Sequence, residues 1–565
     1  MVLLIGMMII FVGRLFYLQI IKHDEYIAQA AAEQIKPLTI PAKRGLIYGL
    51  DSGQPVPLVI NQKIYTLFAD PATVKDTEKV REVVRRVAGG NLRKNIDEYM
   101  NKKDSRYQIL GTKLTRQQAE LIKKEKLAGI GFQETTQRVY PEGSLAAQSL
   151  GFVNAEGKGQ YGIEEELNDR LTGHDGLLKS VTDVSGVPLT IGTGNINQPA
   201  KNGDNIALTI DRNIQSYSEK ALAAGLQRSR ATNGSVIVID PQSGKIMAMA
   251  NLPTYSPTDF TKVQDAAAFN NAVVTTPYEP GSDIKAFTMA IGLDKGVIQP
   301  DSTFINTDSI KIEDRTITNA TKGQTGTISM QTALNYSLNT GMVTVAERLG
   351  DGTSINEQAR NSMYDYFHNR FGFGRKTGIE VAGEQKGIVI PPTDQEGNAV
   401  RYSNMAFGQG MDLTMVQVAS AFGALVNGGT YYQPTVIAGT VNTDGNLVPA
   451  APKPARSGVI SAETSEKIHA MIRTARSAFY AKQDRPGYDI GGKTGTSQTI
   501  ENGKYVDNQT VGTYLGYGGD SAAKYVIMVQ VSGKNLNAQG NKDALPIFTD
   551  ISNWMIDYLK LQPKG

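Results

Sequence analysis

The sequence predicts an α+β protein in three parts: an N-terminal transmembrane helix, an elongated mixed domain, and a larger domain whose central antiparallel sheet is flanked by helices. Three observations carry this expectation. The chain opens on an apolar run from Val2 to Ile21, two runs rich in β-branched residues flank a turn at 241–244, and strand-like runs return after residue 485 with helical patterns between. Two strands early and three late would assemble one sheet from both ends of the same domain. At 565 residues the chain is too long for a single compact core. The pattern shifts place its parts at 1–21, 22–230 and 231–565.

As a helix, Val2 to Ile21 would span roughly 30 Å, enough to cross a bilayer. Its one charge, Arg14, can snorkel to the outer interface beside Phe16 and Tyr17. A cleaved signal would want a basic start and a small-residue cleavage site, so the span reads as an uncleaved anchor. Residues 22–50 give a polar, Ala-rich helical stretch (DEYIAQAAAEQ) followed by Pro37 and PAKRGLIYG. Across 51–200, short strand-like runs alternate with charged helices, and the Lys/Arg-rich run 113–126 reads as a solvated helix face. KNGDNIALTID (201–211) is a strand leading into a helix at 212–228. GSVIVIDPQSGKIMAMAN (234–251) is a hairpin turning at Pro241-Gln242-Ser243-Gly244. Residues 282–425 are mostly helical in pattern with Gly/Thr-rich loops, and 485–500 and 510–533 return to strand.

Composition narrows the chemistry. The 58 Lys+Arg against 55 Asp+Glu leave +3, too even for nucleic acid as the main partner. With no cysteine there is no disulfide framework, thiolate metal site or thiol nucleophile. The four histidines, His23, His174, His368 and His469, have no metal-ligand spacing, so neither a zinc site nor a Ser-His-Asp triad is expected.

Chemistry must then come from other residues. Pro280-Gly281 precedes a run of helical pattern, which puts Ser282 at the helix start and Lys285 on the same face three residues on. A lysine of lowered pKa can take a serine's proton where no histidine is available, and a helix N-terminus favours the developing negative charge. In Ser337-Leu338-Asn339, hydroxyl and amide can point into one cleft, the first to relay a proton and the second to hold a peptide group. Gly491-Gly492-Lys493-Thr494-Gly495-Thr496 lies in a strand pattern whose glycines let another backbone lie close, with Lys493, Thr494 and Thr496 offering a cation and two hydroxyls to a carboxylate. Each motif has a decoy: Ser521 with Lys524 leads into a strand, Ser354 with Asn356 matches only by spacing, and Lys376-Thr377-Gly378 sits in a Gly-rich turn.

Together, in this order and these contexts, S-x-x-K, S-x-N and K-T-G form the signature of penicillin-binding proteins and β-lactamases. The chain resembles a class B penicillin-binding protein, a membrane-anchored peptidoglycan transpeptidase of serine β-lactamase-like fold. The resemblance extends to RLFYLQI (14–20), KRG (43–45), Tyr140-Pro141, Gly151-Phe152-Val153, Tyr161-Gly162-Ile163-Glu164, LTGHDG (171–176), LTID (208–211), VIDPQSGKIMAMA (238–250), FGQG (407–410), Thr414, Gln417 and Asn427-Gly428-Gly429. It implies that Ser282 attacks the penultimate D-Ala carbonyl of a stem peptide, with Lys285 as its base. Ser337 would pass the proton to the departing D-Ala and Asn339 would bond the peptide backbone. Lys493, Thr494, Gly495 and Thr496 would bind the terminal carboxylate, and the N–H groups of Ser282 and Thr496 would form the oxyanion hole. No metal or organic cofactor is implied, and β-lactams would acylate Ser282.

One position departs from the family: Asp283 stands where an uncharged residue is usual. It would either attract Lys285 and hold it protonated, or point into solvent or take a helix N-terminal N–H. Residues 22–230 leave no room for a glycosyltransferase, against the bifunctional class A enzymes. Glu279-Pro280-Gly281-Ser282 resembles the division branch more than the elongation branch. The implied partners are stem peptides ending in D-Ala-D-Ala, β-lactams, the cell membrane, a polytopic lipid II polymerase and other division proteins, with the catalytic domain extracytoplasmic. The alternatives are an elongation-type transpeptidase, a D,D-carboxypeptidase differing only in its water acceptor, and a catalytically weak scaffold that activates the polymerase. A free β-lactamase would not need the anchor and the domain behind it, and a sensor would carry several spans.

Overall fold

A computed structural model describes residues 1–26, 35–181, 196–501 and 504–563. The chain forms two compact units, Met1–Gly45 with Asp169–Asn205, and Leu46–Asn168 with Ile206–Gly565. In the first, the apolar helix Val2–Phe16 continues through a π-helical turn, Tyr17–Ile21. Among the described residues this is the one helix long and apolar enough to cross a membrane. A three-stranded antiparallel sheet follows, with Gly176–Val181 between Ile35–Ile40 and Ile196–Gln198. Pro37 therefore lies within a strand, and most of the expected helix DEYIAQAAAEQ falls outside the described residues. A Cβ at Gly45 would meet the Asp204 carbonyl oxygen at 1.9 Å, which is why KRG ends in glycine.

The second unit holds two large sheets. One runs in the order Leu447–Pro449, Ile437–Val441, Ile206–Asp211, Ile47–Asp51, Gln54–Ala69, Gln108–Leu114, with Ile130–Val139 also paired to Gln54–Ala69. It joins residues from both sides of position 230, because Ile206–Asp211 pairs parallel with Ile47–Asp51 and antiparallel with Ile437–Val441. The helices Thr77–Ala88 and Arg116–Lys124 bury Val80, Val83, Val84, Ala119 and Ile122 in its core, so the charged run 113–126 is amphipathic.

The other sheet is five-stranded and antiparallel, in the order Ile246–Leu252, Asn233–Ile239, Ala523–Ser532, Lys504–Gly519, Asp489–Glu501. Two early strands and three late ones do form one sheet. Val236 and Val238 enter the core that Arg212–Ser229 and Leu545–Tyr558 cover, while Ile237 and Ile239 are equally buried. A sheet buried on both faces reads as continuous apolar runs, as GSVIVID does. Asp211 caps the first covering helix, its carboxylate accepting from the N–H groups of Asn213 and Ile214. Met415–Val426, buried at every position, and Ala462–Tyr480 also pack on this sheet. The stretch 282–425 is less helical than its pattern predicts. It contains the hairpin Ser309–Ile312/Arg315–Thr318 and the strand pair Thr303–Asn306/Gly326–Ser329, each strand too short to show a period.

Candidate active site

Ser282 is presented by three backbones that meet at glycine. Gly281, at φ +58°, donates its N–H to the Gly408 carbonyl at 2.9 Å. A Cβ on Gly281 would lie 2.7 Å from the Thr496 carbonyl oxygen, and one on Gly408 (φ +90°) 1.9 Å from that of Gly281. Glu279 ties the same loops together, accepting from the Gly410 N–H at 2.7 Å and from the Tyr505 hydroxyl. From this corner a 3-10 turn, Gly281–Ile284, runs into the helix Lys285–Asp294, whose residues through Leu293 are buried. Gly408→Ala is accordingly expected to displace the Ser282 turn and to lower the melting temperature by several degrees, which thermal unfolding would detect.

Lys285 and Lys493 converge on Ser337. The Lys285 ammonium or amine lies 3.1 Å from Ser337 Oγ and also donates to the Ser337 carbonyl. Lys493 Nζ approaches the same hydroxyl at 2.9 Å and the Thr494 carbonyl at 2.9 Å. Ser337 sits at φ +57° between the helices Met330–Asn335 and Asn339–Arg348, and this left-handed turn lets one residue serve both lysines. Burial, then repulsion from Lys493, pushes the Lys285 pKa well below its ordinary value. Burial lowers that of Lys493 to about 8, with Asp283 opposing the shift.

Strand alternation sorts the K-T-G residues. Lys493, Gly495 and Ser497 face the buried side of Asp489–Glu501, while Thr494 is half-buried and Thr496 exposed on the other. Thr496 Oγ1 donates to the Gly495 carbonyl at 2.9 Å. Asn339 Nδ2 donates to the Thr318 carbonyl at 2.8 Å, fixing the second motif to the short hairpin. A cavity of about 320 Å³ opens beside Ser337, Lys493 and Thr494, walled by Tyr336, Phe479 and Tyr480. The decoys lie elsewhere. Asn356 caps a helix, Thr377 bonds Glu384, and Lys524 pairs with Asp520.

Asp283 takes neither expected position. It is fully buried behind the K-T-G strand, where its Oδ2 accepts from Thr513 Oγ1 at 2.7 Å and its Oδ1 has no hydrogen-bond partner. Burial pushes its pKa up to about 7, against the Thr513 bond and the Lys493 charge. The groups that shift Lys285 do not include it. Sequence reasoning gave no role to Thr513, Gly408 or Glu279. FGQG and the residue before Pro280 carried the only signal for the last two.

The penicillin binding protein transpeptidase domain profile matches residues 234–553, and the penicillin-binding protein dimerisation domain profile matches 39–208. The chain is 28 % identical to stage V sporulation protein D of Bacillus subtilis, over 100 % of this chain and 86 % of that one. It is 26 % identical to the probable peptidoglycan D,D-transpeptidase PenA of Neisseria meningitidis, over 98 % and 90 %. Penicillin binding protein 3 of Mycobacterium tuberculosis, solved with aztreonam, shares its fold at TM-score 0.69 and 24 % identity, covering 94 % of this chain and 98 % of that one.

Proposed function

Because the chain belongs to the penicillin-binding protein transpeptidase family, we propose that it is a class B peptidoglycan D,D-transpeptidase that cross-links stem peptides through an acyl-enzyme on Ser282. The observation that carries this reading is the buried Lys285 amine bonded to Ser337, which also meets Lys493. Lys285, whose charged form burial and the nearby Lys493 disfavour, takes the Ser282 proton as Oγ attacks the penultimate D-Ala carbonyl. The N–H groups of Ser282 and Thr496 hold the oxyanion, and such a donor typically contributes about 2.7–4 kcal/mol. Collapse of the tetrahedral adduct expels D-Ala, whose amine takes a proton through Ser337. An amine of a second stem peptide then attacks the ester, losing a proton by the same route, and Ser282 is regenerated. Lys493, Thr494, Gly495 and Thr496 receive the terminal carboxylate, and Asn339 the peptide backbone.

The apolar N-terminal helix supports a single-pass membrane anchor, and the match to the transpeptidase family supports a catalytic domain outside the cytoplasm. The resemblance of Glu279-Pro280-Gly281-Ser282 to the division branch supports a septal role, with a polytopic lipid II polymerase and division proteins as partners. Asp283, the feature that would favour an inactive scaffold, faces Thr513 instead of Lys285.

The test is intact-mass spectrometry of the full-length protein in detergent with a penicillin, followed by peptide mapping. One equivalent of adduct on Ser282 is expected, and a stem pentapeptide with an amine acceptor should then yield cross-linked product. Absence of adduct on folded protein would sink the reading. Hydrolysed peptide alone would reassign the enzyme as a carboxypeptidase.

A further inference from the structure

Strand geometry gives Asp283 a purpose. Residues 493 and 495 share the buried face of Asp489–Glu501, and position 495 has no side chain. A Cβ there would fall 2.1 Å from Thr513 Oγ1 and 2.8 Å from Asp283 Oδ2. Thr513 is the cross-strand partner of Gly495. The carboxylate therefore stands where a residue-495 side chain would, one same-face step from Lys493, which is roughly 6.5–7 Å along a strand.

A buried carboxylate with one unbonded oxygen is costly and needs compensating charge. Two titratable groups act with it: Lys493 from the neighbouring strand, and the Tyr278 phenol, which burial and then Asp283 itself keep neutral. Thr513 contributes only a hydroxyl, and Lys285 answers to Lys493 instead of Asp283. Lys493 is thus the cation whose charge acts on Asp283 across that same-face step, its Nζ itself bonded to Ser337 and Thr494. Equally, Lys493 is buried and close to a second lysine, both of which favour loss of its proton.

We propose that Asp283 is a positioning residue for Lys493, its carboxylate filling the space left at Gly495 and holding the lysine as an ammonium ion against Ser337 and Thr494. This rests on the transpeptidase reading above and adds to it a group that never touches substrate. Asp283 extends to higher pH the range over which Lys493 is charged, and with it the range over which the site attracts a substrate carboxylate and polarises Ser337.

The test is the pH profile of Ser282 acylation by a penicillin in full-length protein, comparing the parent with Asp283→Asn. Asparagine keeps the shape and can accept the Thr513 bond, but lacks the charge. If its removal drops the lysine pKa by about one unit, the Asp283→Asn rate should be about fivefold lower at pH 8 and nearly unchanged at pH 6. The upper limb of the profile moves to lower pH. Thr513→Val, which removes the bond that stabilises the carboxylate, should move it the same way if Asp283→Asn folds poorly. Equal loss at every pH in both variants would mean a purely structural role and overturn the proposal, as would an unshifted profile. If the parent itself is not acylated, the transpeptidase reading fails first, and the two failures are told apart.

Discussion

Lys285→Met is expected to slow acylation of Ser282 by penicillin about 10³-fold, within the 10²–10⁴ that a positioned base contributes. Methionine reproduces the lysine side chain as far as Cε and suits a fully buried site, so the variant should fold. The pH dependence identifies the mechanism. The Lys285 pKa is depressed by burial and by Lys493, so the parent rate should rise with pH through that lowered value and then flatten. It should fall again as Lys493 deprotonates near pH 8. The rising limb should vanish in Lys285→Met. Stability carries the same signature with a definite sign. A depressed folded-state pKa contributes stability that is present above the unfolded value of about 10.5 and lost as pH falls through the folded value. Lys285→Met should therefore gain thermal stability relative to the parent as the buffer is made more acidic. Stopped-flow labelling and melting curves across pH measure both effects, and an unchanged acylation rate would remove Lys285 from the role of base.

The part of the site legible in sequence is the part written in short motifs. Ser282 with Lys285, and Ser337 between two helices, need only local backbone to be placed. Lys493 is different. Its motif fixed the strand, but alternation turns its side chain away from Thr494 and Thr496, so it reaches the site from the buried side. Asp283 was unreadable because its direction depends on a missing side chain at 495 and a hydroxyl at 513, both remote in sequence. The five-stranded sheet was visible because Asn233–Ile239, Ile246–Leu252 and Ala523–Ser532 are apolar on both faces. The pairing of Ile206–Asp211 with Ile437–Val441 was not, since neither strand carries information about its partner. The hairpins between 303 and 329 escaped for want of length, yet one of them anchors Asn339.

Asp484→Ala is expected to cost about 3–5 kcal/mol of stability without changing the chemistry of the folded enzyme. Arg476, on the helix Ala462–Tyr480, is among the largest fully buried side chains of the described residues. Its guanidinium meets Asp484 in a two-pronged pair, donates to the Tyr514 hydroxyl and to Thr549 Oγ1, and lies over the Phe548 ring. One cation thus links the helix that packs along the K-T-G strand to the neighbouring strand and to the C-terminal helix Leu545–Tyr558. Removing Asp484 leaves that cation buried with neutral partners only, whereas removing both charges does not. The melting temperature should fall by several degrees in Asp484→Ala and recover substantially in Asp484→Ala with Arg476→Met. Acylation per folded molecule at low temperature should stay within a few-fold of the parent, because no atom of the pair reaches Ser337 or Lys493. If the double variant is as unstable as the single, the pair holds the fold by net attraction instead of by avoiding an uncompensated charge. If acylation collapses while the protein remains folded, the Arg476 link also sets the position of the K-T-G strand.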